Sequence, residues 1–387
     1  MNNSRDILTM NAGSSSIKIT LFNLISNNPK KVLEGTVNNI GENISSIIVN
    51  DNILKEIHIK NHLDAVDILM DLCKNEFSNI NISAIGHRVV HGGSNYFRAQ
   101  IITDNVFKDL KKLTSFDPDH LPYELQLIEK FQKLYSGVKQ IACFDTEFHY
   151  NLPNRARLLP IPRHFESEGI RRFGFHGLSY EYILENIQNK ENKKIANGKI
   201  IIAHLGSGAS LTAINKEKSI DTTMGFTPTG GIPMSTRSGD IDPGLVLYLT
   251  NVYGFDAKEF NTMVNFKSGL LGISDESSDM KKLLEMENSN QKAKDAIDVF
   301  CYAVKKSIGG FIAAMGGLDM LVFTGGIGEN APQIRKRICE DLECMGIIVQ
   351  DDKNIKNEYI ISSGKVKILV MHTDESIIIA KKILKLI

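Results

Sequence analysis

The sequence predicts an α/β protein built from two similar halves, each reading β-β-β-α-β-α-β. Three observations predict it. Two short glycine-serine loops, N-A-G-S-S-S-I-K from Asn11 to Lys18 and H-L-G-S-G-A-S-L from His204 to Leu211, lie about half the chain apart. Each joins two apolar runs: Ile7 to Met10 and Ile17 to Phe22 in the first case, Ile200 to Ala203 and Leu211 to Ile214 in the second. Further glycine clusters close later apolar runs, at the strand ends where ligands of parallel sheets bind.

In the first half, the runs Ile7 to Met10, Ile17 to Leu24 and Lys31 to Val37 predict three strands. Leu63 to Cys73 follows as a helix, because Ala65, Ile68, Leu69 and Leu72 recur at helical spacing. The apolar stretch Ile82 to Val90 predicts a buried strand ending in His91-Gly92-Gly93. A helix from Pro122 to Tyr135 leads to a strand from Gln140 to Phe144 that ends at Asp145.

The second half repeats the plan with strands at Lys199 to His204, Leu211 to Asn215 and Lys218 to Thr223. A long apolar helix, Asp295 to Met315, precedes the strand Met320 to Thr324 and its turn Gly325-Gly326-Ile327-Gly328. A helix from Pro332 to about Met345 and a strand from Lys367 to Met371, ending near Asp374, complete the repeat. The third strand and long helix of this half are separated by an insertion. Gln188 to Gly198, polar and rich in lysine, predicts an exposed connection.

The totals narrow the function classes. A chain of 387 residues exceeds what one hydrophobic core usually serves, so two domains are expected. With 45 basic and 45 acidic residues, no broad nucleic-acid or anionic-membrane footprint is expected. No apolar stretch approaches the roughly 20 residues of a membrane helix. Met1 to Asp6 is polar, and the first apolar run is short for a signal peptide. Cys73, Cys143, Cys301, Cys339 and Cys344 show neither CxxC nor zinc spacing and fit small reduced core residues of a cytoplasmic protein.

Each glycine-serine loop turns several backbone N–H groups toward one spot beside hydroxyls, which is how proteins hold phosphate oxygens. Two such loops predict a cleft in which two half-molecules grip one nucleotide. Between Asp221 and Gly244, glycines and prolines make a stiff, non-periodic segment carrying Arg237, Asp240 and Asp242. Arg237 is there either a satisfied structural arginine or one aimed at a transferring phosphoryl group. Arg88 lies inside the apolar strand G-H-R-V-V-H-G-G and requires an anion, a structural carboxylate or a ligand. His87 and His91 lack the intervening glutamate of a zinc protease. His176 stands in the glycine-flanked R-R-F-G-F-H-G, and Asp145 and Glu375 end strands where carboxylates reach magnesium through water. Gly326, Gly328 and Ala331 imitate a dinucleotide fingerprint, but too little chain follows for a second dinucleotide half.

Read together, N-A-G-S-S-S-I-K, G-H-R-V-V-H-G-G, F-D-T-E-F-H, R-R-F-G-F-H-G, H-L-G-S-G-A-S, T-R-S-G-D-I-D-P and F-T-G-G-I-G-E-N resemble the acetate/propionate kinase family. That family belongs to the sugar-kinase, heat-shock ATPase and actin superfamily, and the resemblance runs from Ile7 to the C-terminus. It implies two actin-like (ribonuclease H-like) domains flanking a nucleotide cleft. Residues 1–147 and 374–387 would form the acyl-substrate and phosphate domain, and residues 148–373 the nucleotide-binding and dimerisation domain. The activity implied is reversible, magnesium-dependent (or manganese-dependent) transfer of the ATP γ-phosphoryl group to acetate, giving acetyl phosphate and ADP.

The resemblance also assigns residues. Asn11, Ser14, Ser16 and Lys18 would lie near the transferring phosphate, Asn11 also near the metal. Arg88 and Arg237 would clamp carboxylate and phosphoryl group, with Asp145 and Glu375 positioning the metal and His176 and His204 bonding the equatorial phosphoryl oxygens. Gly206, Ser207 and Gly208 would cradle phosphate. Asp279, Met280, Lys281, Gly326, Ile327 and Asn330 would contact the nucleotide, and Val90, Phe175 and Pro228 would line an acyl pocket. The partners implied are acetate or another short-chain carboxylate, ATP or ADP, and a second copy of the chain, with neither nucleic acid nor membrane. The same machinery serves propionate or butyrate, and a non-catalytic ATP switch of the chaperone or actin kind is the alternative from another class.

Three single positions, besides the stretch T-G-G-I-P-M-S where L-E-G-L-M-M-G is commoner, depart from the family pattern. Ser207 replaces the asparagine of H-L-G-N-G-A-S, Lys281 stands where an adenosine-side arginine is usual, and Asp119 stands where a pocket leucine is common. Lysine lacks the planar stacking of arginine.

Overall fold

Apolar strands flanked by small turn residues and followed by amphipathic helices assemble, in the computed structural model, into two mixed sheets with helices against them. Residues 6–13, 15–25, 28–72, 80–191 and 193–387 are described. Ser14 and Cys73 lie outside them. Backbone packing divides the chain into two compact units, Met1–Glu147 with Asp374–Ile387, and Phe148–Thr373.

The first unit is built on a sheet of order β5-β4-β3-β2-β1-β6-β8-β7. Its strands are β1 (Asp6–Ala12), β2 (Ile17–Ile25), β3 (Asn28–Asn38), β4 (Ser45–Val49), β5 (Asn52–Ile57), β6 (Ile82–Val89), β7 (Gln100–Ile101) and β8 (Lys139–Phe144). β1 pairs antiparallel with β2 and parallel with β6, and β6 pairs parallel with β8. Alternation decides the layers: Leu8 and Met10 of β1 and Ile17, Ile19 and Leu21 of β2 bury against Ala65, Val66 and Leu69 of helix His62–Leu72 and Leu127 and Phe131 of helix Leu121–Leu134. The C-terminal helix Glu375–Leu384 packs on β1 and β6. Gly86 of β6 permits this close approach, since a Cβ there would fall 2.5 Å from Ile379 Cγ2.

The second unit carries the sheet β11-β10-β9-β12-β13: β9 (Lys199–Leu205), β10 (Ala209–Asn215), β11 (Lys218–Thr222), β12 (Met320–Thr324) and β13 (Lys367–Val370). Its order and strand directions match β3-β2-β1-β6-β8, the actin-like (ribonuclease H-like) arrangement. Ile200 and Ile202 of β9, Met320 and Val322 of β12 and Leu369 of β13 share a core with Tyr180, Ile183, Leu184 and Ile187 of helix Gly177–Lys190. The 25-residue helix Gln291–Met315 buries Ile297, Phe300, Val304 and Ile308 at helical spacing.

Several predicted elements shift. The helix expected from Asp295 begins at Gln291, because Asn290 caps it by accepting from the Ala293 N–H. The helix from Pro332 ends at Cys339 rather than Met345. F-T-G-G-I-G-E-N, read as a turn, winds into the short helix Gly325–Asn330. β4, β5, β7 and helix Asp104–Lys112 add elements for which no prediction was made.

Candidate active site

In the first unit, charged and polar groups converge at the carboxyl ends of β1, β6 and β8. Arg88, the penultimate residue of β6, would be costly there without partners. Its Nη2 donates to Asp145 Oδ2 at 2.9 Å, and its Nη1 donates to Ala12 O at 2.9 Å and Glu124 Oε1 at 3.3 Å. The partners that the strand pattern demanded are thus, within the fold itself, two carboxyl groups, Asp145 and Glu124. Glu124 accepts a second bond, from the Val90 N–H at 2.9 Å. Beside them Asn11 Nδ2 donates to Glu375 Oε2 at 2.7 Å.

Burial opposes the charges of Arg88, Glu124 and Glu375. It disfavours the Arg88 cation, but Asp145, Glu124 and Glu375 outweigh it and hold the guanidinium above its ordinary pKa. Burial lifts the Glu124 carboxyl to about 8, against the pull of Arg88 and the Val90 N–H. Burial, and then the neighbouring Asp145, also raise Glu375, although Arg88, Asn11 and Lys18 favour its ionised form. The cluster holds more acid than base, which suits a further cation.

The first glycine-serine loop is fastened from behind. The Gly13 carbonyl accepts from His62 Nε2 at 2.8 Å and from the Tyr123 hydroxyl at 3.2 Å, and the two rings stack at 4.3 Å. A carbonyl only accepts, so His62 carries its proton on Nε2. Gly13 N donates to Ser16 O at 2.8 Å, closing the turn. Lys18 leans on Glu34 at 3.1 Å.

In the second unit, two histidines and an arginine gather at the carboxyl end of β9. The His176 and His204 rings stack at 4.4 Å. Each Nδ1 meets a serine hydroxyl, His176 with Ser210 at 2.9 Å and His204 with Ser179 at 2.8 Å, and Ser179 in turn meets Thr373 at 2.9 Å. His176 adopts the left-handed conformation (φ 60°, ψ 25°) at the start of helix Gly177–Lys190, which aims its ring back over the loop. Gly208 must be small: a Cβ would lie 3.1 Å from His176 Nε2 and 3.7 Å from Arg237 Nη1. Arg237 Nη1 also donates to Pro228 O at 3.4 Å, and Ser235 N donates to Ser207 O at 3.2 Å, tying the arginine segment to the loop.

The remaining predicted residues divide between the two units. Gly206 faces the amide of Gly326, at 3.9 Å from the place its Cβ would take. Asn330 Nδ2 donates to Gly326 O at 3.0 Å, leaving Ile327 in the same short helix. Asp279 caps helix Met280–Met286, accepting from Lys281 N at 2.9 Å; Met280 is buried and Lys281 exposed. Phe175 and Pro228 are buried in the second unit, Val90 in the first.

Sequence reading missed Glu124, His62, Tyr123, Ser179 and Arg335. Arg335 is fully buried and bonded to neutral oxygens, reaching the Gly328 and Glu329 carbonyls at 2.9 Å each; burial pulls its pKa down to about 10. It fastens the F-T-G-G-I-G-E-N helix from below. A buried-looking arginine inside the R-K-R-I-C run was the available signal for it. For Glu124 there was none, because an acid in the first turn of a helix is ordinary.

Among the described residues no group of three or more His, Cys, Asp or Glu side chains forms a ready-made metal cage. Magnesium needs less, since it keeps waters and substrate phosphates beside one or two protein oxygens. The Asn11–Glu375 pair in its acid-rich surroundings fits such a site.

Comparison with known proteins agrees along the whole length. The Acetokinase family profile matches residues 6–381. The chain is 41% identical to the acetate kinase of Rickettsia felis over 385 residues, covering 98% of each chain. It is 40% identical to that of Staphylococcus aureus over 397 residues, again 98% of each. Among solved structures it resembles a propionate kinase from Francisella tularensis (TM-score 0.90, 34% identity, 99% and 100% of the two chains). It also resembles the acetate kinase of Porphyromonas gingivalis (TM-score 0.85, 33% identity, 99% of each chain). The chain belongs to the acetokinase family.

Proposed function

We propose that this protein transfers the γ-phosphoryl group of ATP reversibly to acetate by direct in-line displacement, giving acetyl phosphate and ADP. The observation that carries this reading is full-length similarity, at about 40% identity, to proteins named acetate kinase. A carboxylate attacking a phosphate brings two anions together, so the protein must supply positive charge and alignment rather than a strong base. Arg88 supplies the charge for the acid, held in place by Asp145, Glu124 and Ala12 O. Val90, Phe175 and Pro228 receive its methyl group.

Arg237, His176 and His204 donate to the phosphoryl oxygens, their rings oriented by Ser210 and Ser179. Asn11, Ser14, Ser16, Lys18, Gly206, Ser207 and Gly208 hold phosphate oxygens. Gly326, Ile327, Asn330, Asp279, Met280 and Lys281 receive the nucleoside. Asn11 and Glu375, with Asp145 nearby, would hold magnesium or manganese, which when bound offsets phosphate charge. On this reading the first unit serves acid and phosphate, and the second serves the nucleotide.

The second unit also supplies the surface for a homodimer. Helix Gly244–Tyr253 (GLVLYLTNVY) buries none of its residues, with Leu247 66%, Val252 57% and Tyr253 64% exposed. Apolar patches of this kind mark interfaces. Light scattering should give twice the chain mass, and Leu247→Glu with Val252→Glu should halve it. Buried Cys143, Cys301 and Cys339, without a disulfide, fit a cytoplasmic enzyme.

The test is ATP-dependent acyl phosphate formation, trapped with hydroxylamine, across acids of one to four carbons. Acetate should support it best. ADP release indifferent to every acid would return the chain to the ATP-switch class. Propionate is the specific rival, favoured by the propionate kinase at TM-score 0.90; one methylene is worth only ~0.8 kcal/mol, so rates must decide.

A further inference from the structure

We propose that Glu124 is a positioning residue for the acid substrate: one carboxyl group joins the Arg88 guanidinium to the Val90 N–H, and so sets the affinity for the carboxylate rather than the rate of transfer. The inference deepens the function proposed above and rests on Arg88 and Val90 receiving the acid. Its basis is a two-point bridge. Oε1 accepts from Arg88 Nη1 at 3.3 Å and Oε2 from Val90 N at 2.9 Å, from a side chain that is 1% exposed. Asp145 holds the other guanidinium nitrogen at 2.9 Å, so the fork is pinned at both ends. Without Glu124 the Nη1 end would keep Ala12 O and lose its link to the pocket backbone.

The bridge also adjusts charge. The charged groups facing Glu124 are Arg88 from β6, Asp145 after β8 and Asp117 from the loop before its own helix; Glu375 acts on Arg88 as well. With its carboxyl lifted to about 8 by burial, Glu124 carries a proton at neutral pH and leaves the Arg88 charge available to a substrate anion. Above that pH its ionisation places a second full negative charge against the guanidinium and weakens the hold on the acid.

The experiment compares the native protein with Glu124→Gln, Glu124→Ala and Arg88→Lys, measuring kcat and the KM for acetate and for ATP from pH 6.5 to 9.5. In the native protein the acetate KM should rise above about pH 8 while the ATP KM stays level. Glu124→Ala should raise the acetate KM about tenfold at pH 7, with kcat and ATP KM within about twofold. Glu124→Gln, which keeps the shape but turns an amide donor toward one of the two donors that the carboxyl group joins, should restore only part of that affinity and remove the alkaline rise. An unchanged acetate KM in Glu124→Ala overturns the inference, as does a parallel loss in all three constants. Should Glu124→Ala not fold, the Gln profile decides alone: an alkaline rise that persists in it also overturns the inference. An Arg88→Lys protein with native acetate KM removes the clamp itself, a result distinguishable from failure of Glu124 alone.

Discussion

The two units hold their polar groups by different means. At the end of β1, β6 and β8, Arg88 sits among Asp145, Glu124 and Glu375, a guanidinium held by acidic side chains. At the end of β9, His176 and His204 are held by neutral hydroxyls, Ser210, Ser179 and Thr373. The same strand order therefore supports opposite chemistries. In the first unit three carboxyl groups surround one buried guanidinium and favour its charged form. In the second unit a hydroxyl on each Nδ1 fixes a ring without adding charge.

The largest effect expected is at the arginines. Arg237→Ala should cut kcat by a hundredfold or more, about 3 kcal/mol of transition-state stabilisation, in a steady-state assay. Arg88→Lys should cut kcat/KM for acetate similarly, because lysine keeps the charge and loses the two-pronged geometry. Arg88→Ala is the harsher test, since it leaves buried carboxylates without their cation and should lower the melting temperature as well.

A smaller effect should follow from loosening a ring in the second unit. Ser179→Ala removes the hydroxyl that holds His204 Nδ1 and should slow turnover about tenfold with an unchanged ATP KM. A rate within twofold of native would show that His204 needs no such guide, and would erase the contrast drawn between the units.

The first unit should also hold one group whose contribution to stability acid removes. His87 is fully buried beside Gln140, and burial lowers its pKa from 6.5 to about 4, Gln140 countering in part. A depressed folded pKa means the stability is complete above 6.5 and is lost as pH falls from there toward 4. Between pH 7 and pH 5 chemical denaturation should change the stability of the native protein by about 2 kcal/mol less favourably than that of His87→Gln, the raised Glu124 and Glu375 carboxyls, which work in the opposite direction, being common to both. Equal changes in both proteins would assign the acid sensitivity elsewhere. Least of all, Lys281→Arg should improve discrimination of ATP over GTP by a few-fold, through planar stacking that lysine lacks; no change in that ratio would remove Lys281 from the nucleoside contacts.

The legible part of the fold was the part that repeats. Strands framed by glycine-serine loops, and helices with strong apolar periodicity, were readable because local pattern and burial agree. β5 was not, since N-I-L-K-E-I is almost wholly exposed at a sheet edge and its pattern reports no core. Helix Asp104–Lys112 was missed for a related reason: only Val106 and Leu110 of its nine residues are buried. In the two polar clusters, Arg88 and His176 stood out in the sequence because they lie inside long motifs. Glu124 and Tyr123 were not, because their work depends on where helix Leu121–Leu134 comes to lie against β6 and Gly13. The left-handed backbone of His176 was equally invisible, since nothing but tertiary context holds a non-glycine residue there.

The most direct measurement follows ADP and acyl phosphate together as acetate is varied, in the native protein and in Arg88→Lys. The account predicts one acyl phosphate per ADP, no ADP without acetate, and an acetate KM raised at least tenfold in the variant with the ATP KM unmoved. ADP formed without acid, or an Arg88→Lys protein that uses acetate as the native one does, would contradict it.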